Sequence, residues 1–499
     1  METRRYLGNR GVKPKHRADL FGHPRGLTFL FSTEMWERFS YYGMRSLLVL
    51  YMTKYLLLSG HSDSVIGLAS VKRALQTVFG PLGTQPLASQ IYGFYTALVF
   101  FTPMFGGLLA DRVLGRRRTV IIGATLMAIG HFMMAVEPLF LLALLFLILG
   151  NGAFKPNIST QVGGLYQPGD RRRDRAYSIF YVGINVGAFL APLVCGSLGE
   201  EAGWQYGFAA AGIGMCIGLC IYVYALPLLP GDDITHLRPS PERAETHRQM
   251  RSGEGSSAAS TAPARRPSVA DLSLSGGGRN ETLTRDEWRA VIALLILLVP
   301  NTLFWAIYEQ QGNTIMLWAD GYTDRTIDLL GFTMQIPATS FLAFNPFMIF
   351  AFTPFVVALW ARQAERGSEP STVTKMALGC CGLAAAYLIM ALAAFHAGAG
   401  NASWLWLLGF YVVVTMGELY LSPVGLSLVT KIAPLKILSM MMGVWLAASF
   451  VGGFLAGFIG SFWSAMAKPE FFLLCAGIGL LAGVMIFACR WVVRGVVKE

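Results

Sequence analysis

Twelve stretches of this chain are apolar over the roughly 20 residues that a helix needs to cross a hydrocarbon core about 30 Å thick. They fall at 27–55, 87–112, 118–136, 138–166, 175–198 and 204–229, then at 289–319, 341–361, 375–397, 402–430, 437–465 and 469–493. A length of 499 residues would ordinarily imply about three soluble domains. Here 54% of residues are apolar and only 14% charged, against about 25% charged in soluble domains. The spacing therefore predicts one all-α integral membrane unit of twelve transmembrane helices in two six-helix bundles. The first and seventh segments are the weakest by hydropathy because they carry charges.

The two sets of six are separated by 230–288, which contains SGEGSSAASTAPARRPS and no long apolar run. Such a segment cannot bury enough surface to offset its ordering entropy. The expected organisation is a basic cytoplasmic tail (1–26), an N-terminal bundle (27–229), a flexible cytoplasmic linker (230–288), a C-terminal bundle (289–493) and a cytoplasmic tail (494–499). The N-terminus lacks the short apolar region and small-residue cleavage site of a signal peptide, so the first segment is expected to remain as a spanning helix. A second non-membrane stretch, 59–86, has partly helical apolar spacing in SVIGLASVKRALQTVFG. That allows a short interfacial helix or a lid over the outer mouth, with a surface loop as the simpler expectation. The seven cysteines all lie within apolar runs and read as small buried hydrophobes, with no metal-ligand company and no disulfide framework.

The formal charge of +11 could signal a nucleic-acid partner. Its placement says otherwise. With both termini in the cytoplasm, 32 of the 40 Lys and Arg residues fall on the cytoplasmic side and five on the opposite side. That bias orients a multi-pass plasma-membrane protein, here a bacterial inner-membrane one, and leaves no basic surplus for nucleic acid. The remaining three, Arg38, Arg45 and Lys155, lie inside expected helices.

A charge at the bilayer centre costs at least ~2.5–3.5 kcal/mol on insertion scales, so these residues mark function. In the first helix Glu34, Glu37, Arg38, Tyr41, Tyr42 and Arg45 recur at three- and four-residue spacing and share one face. Lipid cannot accept such a stripe, so it must line a wet cavity between helices. Lys155 stands in the fourth segment before Pro156, Glu309 in the seventh and Glu418 in the tenth, ahead of Pro423. Four carboxylates and three cations are thus placed to pair across a central cavity. A carboxylate that loses its cationic partner changes its proton affinity, which is the physical basis of proton coupling. Gly152, Pro156, Gly417 and Pro423 are candidate flexible points for alternating access. No nucleophile–base set, metal cluster or phosphate loop appears, so neither an enzyme nor a cofactor is expected.

Several segments match a known pattern. The run Glu34-Met-Trp-Glu37-Arg38-Phe-Ser-Tyr41-Tyr42 resembles the ExxER motif of the proton-dependent oligopeptide transporters. GGLLADRVLGRRR (106–118) resembles the loop between helices two and three across the major facilitator superfamily. FYVGINVGAF, GNGAFKPNIST, FWAIYEQQG and GELYLSPVGLSLVTK extend the resemblance into both halves.

The resemblance implies a proton-coupled symporter of di- and tripeptides with the major facilitator fold, acting as a monomer. It implies that Arg38, Arg45 and Lys155 receive the peptide carboxylate, which suits bidentate Arg and point-charge Lys. Glu418 would face the peptide amino terminus beside Asn185 and Asn345. Tyr42, Tyr181, Trp305 and Trp445 would be pocket aromatics. Glu34, Glu37, Arg38 and Glu309 would couple protons, with Arg45–Glu309 as an outer gate pair and Lys155–Glu418 as an inner one. Two departures stand out. The polar 230–288 stretch cannot supply the two extra helices of many bacterial members, and Gly93 stands where animal members carry a functional histidine. A carrier of nitrate, an amino acid or a peptide-like metabolite is the nearest alternative, although nitrate would leave Glu418 without a role. A drug antiporter should have a more apolar pocket, and a scaffold or receptor would transport nothing.

Overall fold

The computed structural model describes residues 22–167, 170, 172–231, 283–329 and 332–494. Most of the expected linker lies outside the described residues. Among the described residues thirteen helices organise the fold: α1 (Arg25–Tyr51), α2 (Leu68–Phe79), α3 (Thr84–Leu114), α4 (Arg116–Met133), α5 (Glu137–Gly164), α6 (Arg172–Glu201), α7 (Trp204–Leu228), α8 (Arg285–Gly321), α9 (Ala338–Glu365), α10 (Thr372–Ala397), α11 (Leu405–Ile432), α12 (Leu438–Gly460) and α13 (Lys468–Arg494). All but α2 are of membrane-spanning length. Ten of these twelve are both long and apolar enough to cross a bilayer. The two exceptions are α1, with its internal charges, and α4, whose 18 residues open on Arg116, Arg117 and Arg118. The seventh spanning helix, expected to be weak, is strongly apolar because no charged residue falls between Arg289 and Glu309. The third takes its place as the weak one.

Local chemistry sets where the second half begins. Thr284 accepts from the backbone N–H of Glu287 while Glu287 reaches back to the Thr284 N–H, a reciprocal cap that starts α8 at Arg285. Both α1 and α8 run from the end of the molecule where α1 begins (the terminal end) to the opposite, distal end, where Lys54 meets Asp320. Four short strands among the described residues decorate the distal end. Thr323–Asp324 pairs in parallel with Ala402–Ser403, and Thr326–Leu329 pairs antiparallel with Phe332–Gln335.

The apolar side chains form two large cores. One gathers Leu30, Met44, Tyr92, Phe154 and Phe208 from the first six spanning helices. The other gathers Leu297, Phe304, Tyr387, Phe410 and Phe472 from the last six. Between them the long contact runs where α3 meets α12, and it is built from small residues. Ser89, Gly93 and Ala97 on α3 face Gly457 and Gly453 on α12. A Cβ at Gly93 would stand 2.5 Å from the Gly457 Cα, which is closer than any side chain tolerates. Small residues spaced by four let backbones approach and gain dispersion contact where lipid supplies no hydrophobic drive. The same contact explains why no histidine could stand at position 93 in this chain. Gly93→Ala should destabilise the protein by about 1–3 kcal/mol, lowering its thermal unfolding midpoint in detergent. An unchanged midpoint would mean the two helices separate freely.

Candidate functional site

A cavity of about 250 Å³ lies between the two sets of six helices. On one wall α1 supplies Arg38, Tyr42 and Arg45, α5 supplies Lys155, and α6 supplies Tyr181 and Asn185. On the facing wall α8 supplies Trp305 and Glu309, α9 supplies Asn345, and α11 supplies Glu418. Sequence reasoning did not single out Phe100, Tyr308 or Gln311, which also line it.

Glu34 and Glu37 sit behind this wall and not on it. Both are buried, and Arg38 bridges them: its Nε lies 3.2 Å from Glu34 Oε1 and bonds Glu37 directly. Asn151 on α5 donates to Glu37 Oε1 at 3.2 Å. Three helical positions at i, i+3 and i+4 place these charges on one face, so the ring closes within α1 itself. Among the described residues Glu34 Oε2 and Arg38 Nη2 have no hydrogen-bond partner. The cluster is therefore paired in charge yet incompletely bonded, an arrangement that a small helix movement can rearrange.

Towards the distal end, Arg45 forms an ion pair with Glu309 across the two walls. Tyr92 of α3 completes the group, accepting from Arg45 Nε at 3.0 Å and Nη2 at 2.7 Å. The helix tightens locally over Glu309–Gly312. There the bare Gly312 admits the Tyr92 hydroxyl, since a Cβ would come within 2.3 Å of it. Any side chain at 312 would drive Tyr92 out of the group.

Lys155 and Glu418, expected to pair, are not bonded to one another. The Lys155 ammonium stands 5.2 Å from the centre of the Phe100 ring and makes no ion pair among the described residues. Glu418 accepts instead from Tyr308 at 2.7 Å and from Asn345 at 2.9 Å, while Asn345 also donates to Thr415 at 3.0 Å. A lone cation and a lone carboxylate thus border the same space from opposite walls. Trp445 stands apart from them. It is buried against Gly425, where it packs α12 onto α11 and does not line the cavity.

Beyond Glu309 the distal end is drawn shut by further ties between the walls. Lys54 pairs with Asp320 at 2.8 Å. Glu200, near the end of α6, accepts from the backbone N–H groups of Ala338 (2.9 Å) and Thr339 (2.7 Å) and from the Thr339 hydroxyl (2.6 Å), and pairs with Arg325 at 3.3 Å. Ser89 donates to Asn313 at 2.9 Å, and Gln85 to the Gly460 carbonyl at 2.9 Å.

Comparison with known proteins agrees with this geometry. A model of the POT family matches residues 117–230 and 269–473. The peptide transporter YePEPT of Yersinia enterocolitica is 35% identical over 475 residues, 88% of each chain. The di-/tripeptide transporter of Lactococcus lactis subsp. cremoris is 34% identical over 503 residues, covering 95% of this chain and 97% of the relative. A crystal structure of the peptide transporter POT in complex with sulfate is 29% identical and superposes with a TM-score of 0.78, covering 97% of this chain and 98% of the other. A multi-pass membrane protein with the major facilitator fold, the chain belongs to the POT family.

Proposed function

We propose that this protein carries di- and tripeptides across the membrane together with protons, by alternating access. The observation that carries the reading is the pairing of unmatched charges in one cavity, Lys155 on one wall and Glu418 on the other. A peptide is a zwitterion and would satisfy both ends, which nitrate could not. Arg38 and Arg45 line the same cavity as Lys155 and are its further cations for the carboxylate. Asn345 and Asn185 flank the acid side, and Tyr42, Tyr181 and Trp305 offer faces that tolerate varied side chains. Relatives named as peptide and di-/tripeptide transporters support the same substrate class.

The coupling acids are Glu309, whose charge holds Arg45, and the Glu34–Glu37–Arg38 group behind the cavity. We place the termini in the cytoplasm of a bacterial cell, following the positive-inside bias, and read the protein as a monomer. The distal end is then the outer face. With Arg45–Glu309 made and Lys155–Glu418 unmade, this is the state closed to the outside. Substrate bridging Lys155 and Glu418 would draw the inner side together, and protonated Glu309 would release the outer side.

Proteoliposomes under an inward proton gradient should accumulate a labelled dipeptide. Unlabelled dipeptide should compete, whereas nitrate and free amino acids should not. Uptake that survives a protonophore would overturn the coupling, and competition by nitrate would overturn the substrate.

A further inference from the structure

We propose that α2 is a lipid-reading element: it lies in the headgroup layer at the distal face and binds anionic phospholipid through Arg73 and Lys72. Three sectors of this helix carry the inference. Successive residues of a helix are rotated by about 100°, so Leu68 and Leu75 share one direction. Both are buried against the bundle. Ala74 and Val78 lie about a quarter turn away from them, and Val78 is 73% exposed. Arg73 and Thr77 project away from the bundle and are exposed, and Lys72, also exposed, lies about 120° round the helix from Val78, between Arg73 and the packed side. A helix at a free water surface has no use for that second apolar sector, set at right angles to the one that packs. A helix resting in the corner between bundle and bilayer needs both.

The position of its C-terminal end supports the corner. Phe79 meets Phe454 and Phe458 of α12, with ring centres 6.2 and 5.9 Å apart, and Phe458 is itself exposed on the flank of the α3/α12 contact. The end of α2 therefore touches the lipid-facing side of the molecule, away from the central cavity, and reaches from one set of six helices to the other. The charges fit the polar boundary there. Neither Lys72 nor Arg73 makes an ion pair among the described residues, and segment 59–83 holds one acid, Asp63, against the two. Long cationic side chains reach phosphate while their stems stay on apolar surface, and each such charge adds to attraction for an anionic leaflet.

Hydrogen–deuterium exchange of residues 66–79 tests this in the full-length protein, reconstituted into nanodiscs of phosphatidylcholine alone or of equal parts phosphatidylcholine and phosphatidylglycerol. Exchange should be about tenfold slower in the anionic discs, and the K72Q/R73Q variant should lose that difference while its other helices exchange unchanged. Equal exchange in both lipids would overturn the role of the charges. Exchange as fast as in detergent, or insensitive to V78D, would show a helix facing water and overturn the placement.

Discussion

Glu309→Gln should reduce gradient-driven dipeptide accumulation to equilibration, while exchange of labelled for unlabelled peptide across the membrane continues. The reason lies in what Glu309 touches. Its carboxylate pairs with Arg45, and Tyr92 accepts two hydrogen bonds from that same guanidinium. Ionised, Glu309 ties α8 to α1; protonated, it leaves Arg45 with only the neutral phenol. A proton therefore acts directly on one of the closures between the two walls. Glutamine keeps the size and hydrogen-bonding groups but has no charge to gain or lose. Under a gradient of one pH unit, a coupled proton supplies about 1.4 kcal/mol, which permits roughly tenfold accumulation. The wild type should approach that ratio and the variant should stay near unity. Accumulation equal to the wild type would remove Glu309 from coupling.

The distal end is also held by groups that Glu309 does not control. Glu200 accepts three hydrogen bonds from the start of α9, and Ser89 and Gln85 add uncharged bonds. The variant should therefore still close, which is why exchange survives. Protonation of Glu309 removes the most buried of the ion pairs between the walls, and the remaining ties set how readily the outer side opens afterwards.

The apolar runs were enough to place the helices, because a bilayer fixes both their length and their internal hydrogen bonding. The stripe from Glu34 to Arg45 was legible for the same reason: charge in lipid has few explanations. Aromatic residues were harder. Trp445 and Trp305 look alike in sequence, since either a cavity wall or a helix contact accepts an indole, and only the fold separates Trp305 on the cavity from Trp445 on Gly425. Tyr92 and Tyr308 were missed, although a tyrosine inside an apolar helix needs a partner for its hydroxyl. Both found one on a charge that lines the cavity. The GxxxG spacing of Gly453 and Gly457 went unremarked, though such spacing is readable as a close helix contact. Its partner face on α3 was not, because periodicity identifies a face without saying what meets it.

The substrate site is most sharply tested at its two unmatched charges. Lys155→Ala should lower dipeptide uptake at least tenfold, because the cation lost there has no acid of its own and is free for a carboxylate. Charge-assisted hydrogen bonds of this kind are worth about 1.5–3 kcal/mol, so a tenfold loss corresponds to the low end of that range. Glu418→Gln tests the other end separately. The amide can still accept from Tyr308 and Asn345, so the wall should keep its shape while losing its charge. Uptake of a dipeptide with a free amino terminus should fall at least tenfold. An N-acetylated dipeptide, a poor substrate for the wild type, should be carried equally well or better by the variant, because the neutral amide no longer leaves a buried carboxylate without a cationic partner. Equal losses for the free and the acetylated peptide would place Glu418 in the conformational cycle and take it out of amine recognition. Normal affinity and rate in Lys155→Ala would remove Lys155 from carboxylate recognition. The two substitutions act on opposite walls and share no hydrogen-bond partner, so with a substrate that lacks one terminus only the variant at the matching wall should lose its effect.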